Sequence, residues 1–413
     1  MGFVAVVLLV IGLIHYYLWK RLVRDTLRPG RGRRVGTALA VALGVLVPLT
    51  LIGVRAGYFK WLSWPGYLWI ALMFYLLVAL VALEIPRLVV NLLWVRAGRT
   101  DKEKVTAAQA GSSAAAIDVA DEKPEPDEKP EPGENGASDD GIDRRLLLAR
   151  GAAIFAGLTA ASVTGYGVRT ATSAPQIDRV QIPLAKLPRA MDGTRLAVVS
   201  DIHIGPLTGV DHAKRIVQVI NSVDADMVCV VGDLVDGSVA ELGKFAAPLA
   251  GIESRQGAYF VTGNHEYYSG HQEWVEEVAR LGMRPLRNER VEINGLDLAG
   301  VNDLNGEEFD DGPDFARTLG DRDRARPVVL MAHQPLAAVE AAPYGVDLQV
   351  SGHTHGGQMV PFNYLVKLQQ PVVSGFGNVD GVPVYVTNGA GFWGPPVRVG
   401  APPQVTVIEL RVA

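Results

Sequence analysis

The run Val350-Ser351-Gly352-His353-Thr354-His355-Gly356-Gly357-Gln358 decides how the rest of this chain is read. Its lead-in, Leu348 to Ser351, has the length of a buried strand, and two histidines spaced two apart follow at once. Four other short apolar runs end in the same way. Leu196 to Ser200 leads into Asp201 and His203, Met227 to Val231 into Gly232-Asp233, Ala258 to Thr262 into Gly263-Asn264-His265-Glu266, and Val328 to Ala332 into His333. Near-continuous apolar runs of this length suit strands buried on both faces of a layered α/β fold. Stretches between them, such as Val210 to Val223 and Gln272 to Leu281, have helical spacing. In open α/β sheets, ligands gather beyond the carboxyl ends of the strands. Five separate loops therefore deliver carboxylates, an amide and imidazoles to one place.

Those residue types point to a metal. Carboxylate oxygen with neutral imidazole suits manganese, iron or zinc, whereas calcium and magnesium take oxygen ligands almost throughout. Two such ions about 3.5–4 Å apart can share one carboxylate and one water, which they acidify to hydroxide. Asp233 is the natural bridge. The flanking glycines Gly232, Gly263, Gly352, Gly356 and Gly357 permit close backbone approach or a positive φ. Each signal is weak singly, since a lone histidine is more often a satisfied polar residue than a ligand. The ordered set is specific: of 8 histidines, His203, His265, His333, His353 and His355 all fall just past a strand. His15, inside an apolar segment, and His212 and His271, at helix starts, read as structural. The single cysteine, Cys229, excludes an intramolecular disulfide and reads as a buried core thiol.

In order and type, Asp201-x-His203, Gly232-Asp233, Gly263-Asn264-His265-Glu266, His333 and Gly352-His353-Thr354-His355 resemble the calcineurin-like metallophosphoesterase superfamily. The extension to Gln358 and the closing run Gly394 to Pro403 look like its bacterial membrane-associated phosphodiesterase subgroup. The resemblance covers Val180 to Val412. It implies a two-sheet β-sandwich flanked by helices, with a dinuclear site at one edge. Asp201, His203, Asp233 and His355 would hold one metal, and Asp233, Asn264, His333 and His353 the other. The resemblance makes His265 the catalytic group beside the leaving oxygen, as general acid or charge-stabilising donor, and Asp236 the residue that orients it. Two positions depart from the pattern. Gly237 stands where protein phosphatases carry an arginine, which argues against that activity, and the Asn388-Gly389 turn lacks an arginine frequent in the subgroup.

The remainder of the chain reads as a membrane anchor. Of the 413 residues 48% are hydrophobic, and Phe3 to Trp19, Val35 to Val54, Gly66 to Leu83 and Gly151 to Val168 approach the ~20 residues needed to span a bilayer. Lys20, Arg21, Arg24, Arg28, Arg31, Arg33 and Arg34 crowd the first connection. Arg87, Arg96, Arg99 and Lys102 follow the third segment, and Arg144, Arg145 and Arg150 precede the fourth, whereas Arg55 and Lys60 alone lie in the second connection. Positive charge marks the cytoplasmic side, so everything after the fourth segment is expected outside. Arg144-Arg145 also resembles an internal twin-arginine export signal. Residues 97–143 form an acidic, Pro-rich linker with a tandem Asp-Glu-Lys-Pro-Glu-Pro unit at Asp121 to Pro132, a composition that stays disordered.

The expected organisation is a three-helix transmembrane region (1–96), this linker (97–143), a fourth anchor or signal-like segment (144–170) and a metallophosphoesterase domain (171–413). A net charge of −5 argues against nucleic acid as a partner. The expected function is a membrane-anchored phosphoesterase with two divalent ions. It would sit in the plasma membrane with its catalytic domain extracytoplasmic, hydrolysing phosphodiesters of envelope or lipid-linked substrates. A nucleotide-sugar or nucleotide pyrophosphatase, or a non-catalytic membrane sensor or scaffold, stays open as an alternative.

Overall fold

The computed structural model describes residues 2–54, 56–112 and 140–413, which fall into two compact units. The first comprises Met1–Pro48 and Leu72–Ser162, the second Leu49–Ala71 and Val163–Ala413. Helices α1 (Gly2–Trp19), α2 (Arg31–Pro48), α3 (Ser63–Ser112) and α4 (Asp140–Thr172) open the chain. With their flanking turns they supply four stretches long and apolar enough to cross a membrane: Val4–Arg24, Arg31–Val54, Lys60–Val89 and Leu146–Thr172. Helix α3 runs further than the Gly66 to Leu83 segment and into the stretch read as linker. The tandem repeat at Asp121 to Pro132 lies outside the described residues.

Within the first unit, apolar side chains such as Leu9 and Leu13 point outward, as lipid-facing groups do, while polar side chains find partners. Arg21 Nε lies 2.9 Å from Glu84 Oε1, and Trp19 Nε1 donates to Thr37 Oγ1 at 2.9 Å. An unpaired charge in an apolar segment is costly, and the proximity of Arg21 and Glu84 lowers that cost.

The second unit carries two six-stranded sheets. One has the order β1 (Gln176–Leu184), β12 (Gln404–Val412), β2 (Arg195–Val199), β3 (Met227–Val231), β4 (Ala258–Val261), β5 (Arg284–Pro285). The other runs β10 (Gly375–Val379), β11 (Val382–Val386), β9 (Leu348–Ser351), β8 (Val328–Met331), β7 (Leu296–Gly300), β6 (Glu289–Ile293). Alternation along each strand sorts side chains into layers. Leu196, Val198, Met227, Cys229 and Val231 face the second sheet, where Leu298, Val329, Met331 and Val350 meet them. The intervening Ala197, Val199, Val228 and Val230 pack instead under α5 (Val210–Ser222), α6 (Val239–Ala246) and, beyond the short α7 (Asn264–Ser269), α8 (His271–Arg280). On the far side, Val328, Leu330, Val384 and Val386 pack against Phe315, Leu319 and Ala338. The result is the helix-flanked two-sheet sandwich that the sequence implied.

Register then places the site. Strands β2, β3 and β4 are parallel, with Val199 opposite Val230 and Val231 opposite Val261. Strands β8 and β9 are parallel too, with Met331 opposite Val350. The carboxyl ends therefore finish level within each sheet, and the chain leaves them directly into Asp201, Asp233, Asn264, His333 and His353. Cys229 is fully buried between the sheets, and burial pushes its thiol up to about 12, an inert core group.

The layer under α8 rests on Trp274, fully buried, whose Nε1 donates to Gly237 O at 2.8 Å. Trp274→Ala is expected to cost about 3–5 kcal/mol. Cys229 reports this, because it reacts only when the sheets open. Pulse labelling of the full chain should proceed roughly 150- to 5,000-fold faster in the variant. An unchanged rate would show that β3 does not depend on this layer.

Candidate metal centre

Five loops bring the expected residues together in three clusters among the described residues: Asp201, His203 and His355; Asp233, His333 and His353; and His203, Asp236 and His265, the first and last sharing His203. His203 Nε2 and His355 Nε2 lie 3.1 Å apart, and Asp201 Oδ1 lies 3.3 Å from His355 Nε2. Asp233 Oδ2 lies 3.2 Å from His333 Nε2, 3.8 Å from His203 Nε2 and 4.0 Å from His265 Nε2. Asn264 Oδ1 is 3.0 Å from His353 Nδ1, which joins it to the second cluster. Asp233 Oδ2 thus lies within 4 Å of nitrogens from both groups, His333 and His203.

The loops reach this geometry through backbone that side chains rarely adopt. Asp201, His203, Asp233, His353 and His355 all have φ between 48° and 69°. Left-handed backbone at a non-glycine residue costs about 1–3 kcal/mol and persists only where the surroundings impose it. Glycine removes clashes that would otherwise block the approach: a Cβ on Gly352 would overlap Ser200 Oγ and Asp201 Oδ2, and one on Gly263 would overlap Asp233.

Neighbouring groups fix which atom of each ligand faces inward. Asp201 Oδ2 accepts from Ser200 Oγ at 2.5 Å and from His353 N at 3.0 Å, which turns Oδ1 to the centre. Asp233 Oδ1 accepts from His265 N at 2.9 Å, leaving Oδ2 free. His333 Nδ1 donates to Val231 O at 2.8 Å, so Nε2 points inward. Asp236 Oδ1 accepts from both His203 Nδ1 at 2.8 Å and His265 Nδ1 at 2.7 Å. It anchors a ligand as well as the group it was expected to orient.

Three supporting residues had no assigned role from the sequence. Glu266 is buried and accepts from Gly263 N at 2.6 Å, Asp233 N at 2.9 Å and Leu234 N at 2.7 Å, tying two ligand loops together. Burial first and Asp233 second push it up to about 7, while its backbone donors favour the carboxylate. Arg398 is also fully buried. Its Nη1 donates to His355 O at 2.8 Å and Asn388 O at 2.9 Å, and its Nη2 lies 3.0 Å from His355 Nδ1. A guanidinium from the closing run therefore braces the turn that lacks one of its own. Ser200 is the third. Their only sequence signals were adjacency to Asp201 and His265 and a place in the quoted closing run.

The electrostatics fit a divalent cation. Asp201 Oδ1 and His333 Nε2 are buried yet make no hydrogen bond, although partners lie 3.2–3.3 Å away. Each faces its own cluster, Asp201 with His203 and His355, and His333 with Asp233 and His353. Burial would raise Asp233, yet His333, His265 and His203 hold it well below the usual carboxylate range. Burial would lower His333, but Asp233 and Asp201 raise it well above an ordinary histidine, so a proton takes up part of the charge a cation would supply. His353 is held down to about 3 and His355 well below normal, by burial first and then by His333 and Arg398 respectively. Neutral imidazole is the ligating form. Buried carboxylates and imidazoles at these spacings need a positive centre among them.

His265 differs from the other four histidines. Its side chain is 14% exposed where His203 and His333 are fully buried, and the exposed Tyr268 and Trp393 flank it at 5.7 and 6.0 Å between ring centroids. His212 and His271 sit apart as structural groups. His212 Nε2 is 3.0 Å from Ile202 O, and His271 stacks on Tyr267 at 4.7 Å.

The sequence profile of the family described as calcineurin-like phosphoesterase matches residues 194–357, a span that contains every clustered residue above. A Danio rerio transmembrane protein with metallophosphoesterase domain is 36% identical over 274 residues, 63% of each chain. A Helicobacter pylori metallophosphoesterase is 37% identical over 240 residues, 57% of this chain and 64% of that one. An Aquifex aeolicus metallophosphoesterase is 33% identical over 243 residues, which are 57% of this chain and 92% of that one. The chain thus spans less than two thirds of the length of the first two relatives.

Burial alone would lower His265, but Asp233 and Asp236 raise it to about 9. The imidazolium is the favoured form, so this contribution to stability is full below the unfolded value near 6.5 and is lost as pH rises through about 9. In chelator-treated protein, histidine NMR should find this ring titrating well above an ordinary histidine. Asp236→Asn should bring it back toward the ordinary value, and an unmoved titration would exclude Asp236 as its partner.

Proposed function

Because the chain belongs to the calcineurin-like phosphoesterase family, we propose that it is a membrane-anchored hydrolase of phosphate esters that works with two divalent cations. Phosphodiesters of envelope or lipid-linked compounds are its proposed substrates. One observation carries this reading: a largely buried cluster of carboxylates and imidazoles at the strand ends stands beside His265, whose side chain is 14% exposed and whose Nε2 lies 4.0 Å from Asp233.

Asp201, His203, Asp233 and His355 would hold one ion, and Asp233, Asn264, His333 and His353 the other, with manganese, iron or zinc suited to the mixed donors. When bound, such a pair supplies Lewis acidity to the phosphoryl oxygens and an acidified water as nucleophile. The protein's own part is positioning and proton transfer. Asp236 accepts the Nδ1 proton of His265 at 2.7 Å, which leaves Nε2–H to donate to the departing oxygen. Gly237, whose carbonyl accepts from Trp274, adds no guanidinium there, in keeping with a substrate other than a phosphoprotein.

The four apolar helices and the charge asymmetry support an anchor with the catalytic unit on the extracytoplasmic side of the plasma membrane. A reporter fused after Ala413 should be active only outside the cytoplasm, and one inserted at Gly133 only inside. Activity of both on one side would remove the fourth crossing.

Activity is tested with the full chain in detergent, supplied with manganese and screened against monoesters, diesters and pyrophosphates. No turnover with metal bound would favour the scaffold. Asp233→Asn should lower occupancy of both metal positions, since only this residue touches both, and two tightly held ions in the variant would reassign the bridge. His265→Ala should lose roughly 100- to 10,000-fold in turnover while retaining metal and fold. That loss should shrink for aryl phosphates, whose leaving groups depart without a proton. An equal loss on good and poor leaving groups would make His265 a positioning group.

A further inference from the structure

Beside the metal centre, the second unit exposes a group of large apolar side chains. The segment after the His355 turn carries Phe362 (44% exposed), Leu365 (57%) and Leu368 (81%), and Trp393 stands at 53% on the neighbouring loop. Three of them lie on or beside one short helix, Asn363–Val366, joined to the site by the turn in which a Cβ on Gly357 would meet Asn363. Patches of this kind on a folded domain mark an interaction surface.

The structure also indicates what covers it. Val360 N donates to Val399 O at 3.0 Å, and Gln358 Nε2 donates to Trp393 O at 2.9 Å and Pro395 O at 3.0 Å, so the segment and the 393–400 loop form one piece. That loop packs on the ends of two apolar helices within the same unit. Arg398 N donates to Gly167 O of α4 at 2.9 Å, and a Cβ on Gly394 would lie 3.6 Å from Tyr67 of α3. Gly167 belongs to the candidate span Leu146–Thr172 and Tyr67 to Lys60–Val89. The connection between α2 and α3 exposes Tyr58 (79%) and Trp61 (74%), the residue types that settle at the headgroup level of a bilayer. Charged side chains are absent from Phe362 to Leu368 apart from Lys367, a residue able to reach the headgroups with its ammonium.

We propose that Phe362, Leu365, Leu368 and Trp393 form a second, non-spanning contact with the bilayer surface. This contact seats the mouth of the metal centre at the headgroup level, where a lipid-borne phosphate ester would present its phosphate. The proposal rests on the membrane anchorage argued above but not on catalysis. Side chains of this class bury about 5–10 Å into the boundary between headgroups and acyl chains.

The lone native cysteine makes the test clean, because Cys229 is buried and unreactive in the folded chain. Full-length Leu368→Cys is labelled with an environment-sensitive fluorophore and placed in bilayers of phosphatidylethanolamine and phosphatidylglycerol that carry a spin-labelled lipid. Asp321→Cys is the control, at an 82% exposed side chain paired with Arg290 of β6, the sheet edge opposite β10. Strong quenching at position 368 with little at 321 is expected, along with a blue-shifted emission at 368 alone. Equal quenching at both, or none at 368, overturns the proposal, and docking by another protein would give that second result here. Wild-type turnover of a water-soluble ester, measured in parallel, tests the hydrolase reading separately. Unlabelled Cys229 in each variant verifies the fold.

Discussion

A single carboxylate oxygen governs this site. Asp233 Oδ2 has imidazole nitrogens of His333, His203 and His265 at 3.2, 3.8 and 4.0 Å, in a place where its side chain is 3% exposed. A buried charge with so many polar neighbours is stable only if each is aimed correctly and positive charge is supplied. Glu266 does part of the aiming by holding the amides of Asp233, Leu234 and Gly263. Asp236 does another part by gripping His203 and His265 from behind. Removing either leaves polar groups facing an interior that cannot solvate them.

The strain in the ligand loops belongs to the same account. Five of the clustered residues held at positive φ imply several kcal/mol of unfavourable backbone, offset by the sandwich on which the loops stand. That sandwich is well suited to the task. Its central strands are buried on both faces, between a core shared by the two sheets and helices packed on either outer side. Parallel register brings their carboxyl ends level, so rigid strands hold the strained turns and flexible segments are kept away from the ligands.

The closing run of the chain joins the clustered residues to the end of an apolar helix. Arg398 braces the His355 turn through its guanidinium, while its own backbone N–H is bonded to Gly167 of α4. One residue thereby touches a metal-ligand loop and the end of an apolar helix. Trp393, on the same loop as Arg398, lies 6.0 Å from His265 between ring centroids.

Much of this was legible in the sequence because buried parallel strands and metal ligands leave strong local marks. A continuous apolar run such as Met227 to Val231 has few other readings, and a ligand must sit within a residue or three of where such a strand ends. The same locality exposes apolar spans and their flanking charges, so the helices, the sheets' central strands and the clustered ligands could all be named from residue order. Support across the fold leaves no such mark. That Arg398 serves His355, that Asp236 grips His203 in addition to His265, and that Glu266 binds three amides depend on which side chains meet after the sheets have packed. Which carboxylate oxygen faces a metal is likewise set by a hydrogen bond to the other, as Ser200 does for Asp201. The sequence by itself determined which carboxylates and imidazoles cluster, because strand burial and residue type are properties of neighbouring residues. Only the tertiary structure decided how each ligand is aimed, because aim is a property of contacts between segments far apart in the chain.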